Sequence, residues 1–176
     1  MNRSAARGVR SAGVLLLLVL GLSGCVGYRL GSMLPKEIRS VYIPTFVNET
    51  QEPLIERDTT DAAIREFQKD GTLQVAGSPE TADTVLTVTL TGYELSPISY
   101  DTARRTTANE YRITLTAAAV LTSRATGQVV AEAAKVQGES TFDVASDMTT
   151  MKRQNLPKAA ADLAHGLVET VVEAWQ

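Results

Sequence analysis

Cysteine is nearly absent from this chain: Cys25 is the only one in 176 residues, so no internal disulfide can form and a stapled secreted scaffold is excluded. Histidine is as scarce. His165 has no second histidine to pair with on a metal. It lies between Leu163 and Leu167, off the apolar stripe they mark, where an exposed helix residue is the simpler reading than a catalytic base. A phosphate loop, a dinucleotide fingerprint and a Gly-x-Ser-x-Gly elbow are all missing. The acidic pairs Glu49/Glu52 and Glu56/Asp58 read as solvated charge. The expectation is a protein that is not an enzyme and needs no metal or cofactor. With 17 Lys and Arg against 20 Asp and Glu, the net charge of −3 offers nothing to nucleic acid. Internal repeats and low-complexity tracts are absent as well.

Only one long hydrophobic run exists, and it lies near the amino terminus. Arg3, Arg7 and Arg10 form a basic head without acidic residues, and Ala12 to Leu22 follow as an apolar segment, the layout of a secretory signal peptide. That segment is far shorter than the roughly 20 residues a spanning helix needs. Ser23 and Gly24 then lead into Cys25. Leu22-Ser23-Gly24-Cys25 resembles the lipobox of bacterial lipoproteins. The resemblance implies a thiol that receives a diacylglyceryl group, cleavage before the cysteine and acylation of the new amine. Each buried acyl methylene contributes about 0.8 kcal/mol, so three chains hold essentially permanently. Residue 26 is Val, whereas an Asp there resembles an inner-membrane retention signal; its absence points to the outer membrane.

Cleavage would remove residues 1–24 with three arginines and leave a body of net charge −6, of a size suited to one domain. Residues 25–37, with Gly27, Gly31 and Pro35, read as a lipidated terminus and short tether, and 38–176 as a single periplasmic α/β domain.

Within that body, residues 38–48 are rich in β-branched and aromatic types and read as a strand, with Pro44 placing it at an edge or a strand end. From Pro53 to Asp70 the pattern turns helical, with Ile55, Thr59, Ala62, Ala63 and Phe67 on one face and Gly71 as the stop. A short piece at 73–76 precedes a turn. Leu86, Val88 and Leu90 then alternate with threonines, and the apolar phase slips at Gly92, which predicts a bulge. A loop over 96–109 separates this strand from one over 110–123, where Tyr111, Ile113, Leu115, Ala117, Ala119 and Leu121 share a face. A turn at 125–128 leads into a third hairpin-connected strand. A closing helix carries Leu156, Ala160, Leu163, Leu167, Val171 and Ala174, with Asn155 as its N-cap, Pro157 in its first turn and Trp175 closing the core. The expected fold is α+β: a two-layer sandwich with a mainly antiparallel sheet of about four strands covered on one face by two helices.

Against this frame, Gly27-Tyr28, Leu34-Pro35, Ile38 with Val41, the Ile43-Pro44-x-Phe46-x-Asn48 step and the helix ending Ile64-Arg65-Glu66-Phe67 resemble the start of the LPS-assembly lipoprotein family LptE. The resemblance implies an outer-membrane lipoprotein seated as plug and assembly partner in the LptD β-barrel, which moves lipopolysaccharide to the outer leaflet. It also implies contact with the anionic lipopolysaccharide through basic side chains. Arg104, Arg105, Arg112 and Lys135 are the candidates, as a local positive patch on an acidic body, and Tyr93, Tyr100 and Tyr111 are candidate partner contacts, with Tyr111 the more core-like. The competing reading is a lipoprotein that activates or scaffolds a periplasmic cell-wall synthase, since fold alone does not separate the two. A tether of about a dozen residues favours a partner in the same membrane over one across the periplasm.

Overall fold

The structure, a computed structural model, describes residues 38–100, 108–144 and 147–173. The lipobox with Cys25, the tether, Arg104, Arg105, Ala174 and Trp175 lie outside the described residues. The described elements are β1 (Ser40–Tyr42), β2 (Val47–Asn48), α1 (Ile55–Asp70), β3 (Gln74–Val75), a 3-10 turn (Pro79–Thr81), β4 (Thr84–Tyr100), β5 (Ala108–Ser123), β6 (Val129–Asp143) and α2 (Met148–Glu173).

β4, β5 and β6 form the expected antiparallel meander, with Leu86 opposite Leu121 and Leu115 opposite Gly138. The sheet as a whole is mixed and six-stranded, in the order β3-β1-β4-β5-β6, which corrects the expectation of about four mainly antiparallel strands. The single strand expected over 38–48 is divided. β1 pairs in parallel with β4 at Thr84 and Val85, the chain steps off the ladder around Pro44, and β2 rejoins the same edge of β4 at Thr89 and Leu90. The short piece after α1 is a real strand, β3, parallel to β1. Parallel neighbours need a crossover, and α1 supplies it.

Both helices cover one face of the sheet. α1 packs on β2 and β3, α2 on β5 and β6, and the helices touch each other. The helical stripe read from sequence is the buried one: Ile55, Thr59, Ala62, Ala63 and Phe67 face the core. From the sheet, Leu86, Val88, Leu90, Ile113, Leu115 and Leu121 meet Leu163 and Leu167 of α2 in one continuous cluster. Each large side chain removed from water this way contributes about 1.5–3 kcal/mol. Gly71, at φ 73, ends α1 in the left-handed conformation and donates its N–H to the Phe67 carbonyl at 3.1 Å.

α2 departs from expectation at its start. It begins at Met148, so Asn155 and Pro157 lie inside it rather than at its N-cap and first turn. Asp147 performs the capping, its carboxylate accepting the Thr150 N–H at 2.9 Å. Pro157 has no N–H to give the fourth residue before it. Asn155, buried two residues earlier, donates its side-chain amide to the Met151 carbonyl at 2.8 Å and accepts from Lys158 Nζ at 2.9 Å, which ties the interrupted turn together.

The tightest contact in the fold is at Gly138. A Cβ there would stand 2.5 Å from the Ala159 carbonyl oxygen and 2.5 Å from the Leu163 Cα, so glycine is required for α2 to lie against β6.

Candidate functional site

The uncovered face of the sheet is polar. Thr87, Thr89 and Thr91 on β4, Thr114, Thr116 and Thr122 on β5, and Gln137 and Thr141 on β6 alternate with the core-facing residues. Gln137 Nε2 donates to Thr116 Oγ1 at 3.2 Å and Thr114 Oγ1 to Glu139 Oε1 at 3.3 Å, so the face is laced across its strands.

Arg112 and Lys135, both predicted to contact an anion, point to this side but are not brought together. Arg112 sits opposite Thr141, while Lys135 lies in a bulge beyond Thr116, where β6 has an extra residue relative to β5. The surroundings of Arg112 are acidic: its register neighbours include Glu94, Glu110, Glu139 and Asp143. Its Nε lies 3.4 Å from Glu139 Oε2, an ion pair without hydrogen-bond geometry. Both partners are well exposed, so the pair is worth little in stability.

A second cluster was not legible in sequence. The chain leaves the edge of β4 after Glu49, whose N–H bonds the Leu90 carbonyl at 3.0 Å. Asn48 shapes this exit: its side-chain oxygen accepts from the Thr50 N–H and hydroxyl, and its amide donates to the Glu52 carbonyl and to Glu56 Oε2. The turn carries Glu52 to Lys152 of α2, whose Nζ lies 3.0 Å from both carboxylate oxygens and 5.2 Å from the Tyr93 ring centroid. Burial pulls the Lys152 ammonium down, but the Glu52 carboxylate and the Tyr93 neighbour outweigh it and hold the group above the ordinary lysine value. Burial pushes the Tyr93 phenol up, with Lys152 opposing. Glu52, Tyr93, Thr149, Lys152, Arg153 and Leu156 enclose a cleft of about 230 Å3. Leu54, beyond this turn, holds φ at 66° and is 76% exposed.

A third cluster lies between the helices. His165 Nε2 is 3.2 Å from Glu169 and Nδ1 3.4 Å from Glu66, which also bonds Lys69 at 3.0 Å. The Lys69 hydrogen bond, ahead of His165, holds the Glu66 carboxyl below its usual range. As expected, His165 is surface-exposed. Among the described residues, no group of three or more His, Cys, Asp or Glu is placed to hold a metal, and no helix is long and apolar enough to cross a membrane.

An α+β sandwich with one bare polar sheet face defines a surface-presenting module, whose side chains and backbone edges are what it offers to another molecule. A sequence model of the LptE family, described as lipopolysaccharide-assembly, matches residues 38–174. The chain belongs to this family, which is the one its motifs resemble.

By fold it is similar to a Xanthomonas campestris protein of the DUF330 family, at TM-score 0.51 and 14% identity over 80% of this chain and 89% of that one. A minor lipoprotein from Acinetobacter baumannii matches at TM-score 0.49 and 10% identity, over 77% and 93% of the two chains. Lipoprotein B from Nitrosomonas europaea matches at 0.47 and 14%, over 84% and 94%. At such identities the likeness to the Xanthomonas protein is one of fold alone. No curated protein sequence matches the chain.

Proposed function

We propose that this is an outer-membrane lipoprotein, cleaved after residue 24 and acylated on Cys25, that acts as plug and assembly partner of the LptD β-barrel in lipopolysaccharide transport. Family membership over residues 38–174 carries the reading, together with a lipobox-like Leu-Ser-Gly-Cys at 22–25. The chemistry supports it. A body whose exposed sheet face is threonine, glutamine and charge suits a water-filled lumen, and a short tether of residues 25–37 keeps it at the membrane that holds its anchor. The role is non-catalytic: the protein positions another chain and a lipid.

Arg104, Arg105, Arg112 and Lys135 are the proposed lipopolysaccharide contacts. Arg112 has to exchange Glu139 for a phosphate, so the greater share falls to Arg104 and Arg105. Replacing Arg104, Arg105 and Arg112 by Ala is expected to weaken lipopolysaccharide binding with barrel association intact; unchanged binding removes the patch from the account. For the role itself, the test is a detergent pull-down of the lipidated chain followed by mass spectrometry. A large β-barrel in stoichiometric yield is the expected result. Recovery of a murein synthase in its place would establish the cell-wall activator reading instead.

A further inference from the structure

β4 is longer than its neighbours on one side. β1 covers its edge at Thr84 and Val85 and β2 at Thr89 and Leu90, and beyond Leu90 no described strand pairs with that edge, although β4 continues to Tyr100 on its β5 side. Leu90 directs its carbonyl outward to Glu49. Past the bulge between Leu90 and Gly92, Gly92 faces Thr116 of β5, so the alternation turns the backbone groups of Tyr93 and Leu95 outward. Pro97 is the next outward position and has no N–H, which ends the row of donors.

The open stretch is therefore short and bounded at both ends, by the Asn48 turn and by Pro97. Beside it, on the helix side, lies the cleft under Tyr93. A strand added to this edge would place one side chain next to Tyr93 and into that cleft. The lining states what that side chain should be. Tyr93 and Leu156 give an apolar floor. Lys152 is already neutralised by Glu52, whereas Arg153 is exposed and has no acidic partner among the described residues. Leu54 borders the same turn, apolar, exposed and held in a left-handed conformation, a costly arrangement of the kind found at contact sites.

We propose that the β4 edge from Gly92 to Ser96 accepts a short extended segment of a partner polypeptide, which pairs with the Tyr93 and Leu95 backbone and presents a carboxylate side chain to Arg153. The inference goes beyond the transport role and does not need it. If it fails, co-purification with a barrel is untouched.

The probe is an acetylated, amidated peptide Thr-Val-Glu-Val-Thr, titrated into the full lipidated chain in detergent and read by residue-resolved amide exchange. Two controls carry Lys for the central Glu, or N-methyl groups on the outward amides. The expected result is saturable slowing of exchange at Tyr93 and Leu95 by about ten-fold or more with the Glu peptide. The N-methylated peptide should have no effect and the Lys peptide a weaker one. Arg153→Glu should reverse the preference between Glu and Lys peptides, which separates recognition from loss of fold. Slowing that is equal for all peptides, that falls on other strands, or that is absent overturns the proposal. Protection that rises with protein concentration and without peptide overturns it too, and assigns the edge to a second copy of the chain.

Discussion

The two long edges of this sheet are treated in opposite ways. At β6 the chain protects itself: Gly138 lets the α2 backbone lie against the strand, and Asp162 of α2 reaches round to accept the outward Glu139 N–H at 2.8 Å. At β4 the chain turns away. Asn48 and Thr50 lead it off the edge directly after Leu90, and among the described residues no strand pairs with the outward groups of Tyr93 and Leu95. An unpaired edge is a liability that proteins ordinarily cover, and this one has covered the edge its own helix could reach. The lesson is that exposure at β4 is built by specific residues and is not merely where the strands run out.

That contrast can be broken most severely at Gly138. Gly138→Val should destabilise the fold by about 3 kcal/mol or more, because the clash is with helix backbone that cannot rotate away. Chemical denaturation would measure it, and exchange at Glu139 should accelerate alongside.

A smaller loss is expected where β1 is tied to the head of β4. The Asp83 carboxylate accepts the Arg39 and Ser40 N–H groups at 2.9 and 3.0 Å and the Ser40 hydroxyl at 2.8 Å. Asp83→Ala should cost about 1–3 kcal/mol. The Arg39 N–H first, then Ser40, holds this carboxyl below the ordinary aspartate range. Its contribution is therefore complete above the unfolded value and is lost as pH falls through the lower folded one. Wild-type stability should drop across that acid window, and Asp83→Ala should flatten the drop.

Asp162→Ala sharpens the comparison directly. It removes the cap from the closed edge for about 1–2 kcal/mol, and Glu139 exchange should approach the rate of Tyr93. At the open edge the sign reverses. Leu54→Gly relieves the left-handed backbone and should stabilise the free chain by up to about 1 kcal/mol in thermal unfolding.

Much of this fold was legible because burial imposes periodicity. The stripe of Ile55, Ala62, Ala63 and Phe67 and the alternation of Leu86, Val88 and Leu90 could be read directly, and the slip at Gly92 marked a true bulge. What escaped reading had too few residues to show a period: the division of 38–48 into β1 and a two-residue β2, and the two-residue β3. The segment from Ser96 to Tyr100 looked like a loop because serines and Pro97 are poor strand formers, yet pairing with β5 and bulges keep it in the sheet. Asn155 and Pro157 suggested a helix start since both are common there, and the Asp147 cap upstream decided otherwise.

The candidate site was less legible than the fold. Arg112 was visible as a basic residue on a polar face, but Glu94, Glu139 and Asp143 come from other strands, so its acidic setting depends on register. Lys152 lies 100 residues from Glu52 and reads in sequence as one more helix-surface charge. The open edge was not legible because Asn48, Thr50 and Pro97 read as ordinary turn residues until the pairing of β2 with β4 is known.

Site-resolved amide exchange on the lipidated chain, first alone and then in the complex purified from membranes, tests the central contrast between the edges. Tyr93 and Leu95 should exchange fast in the free chain and slowly in the complex, with Glu139 unchanged between the two states. If Tyr93 and Leu95 are as protected as Glu139 in the free chain, or stay fast when the partner is bound, the β4 edge is not a docking site.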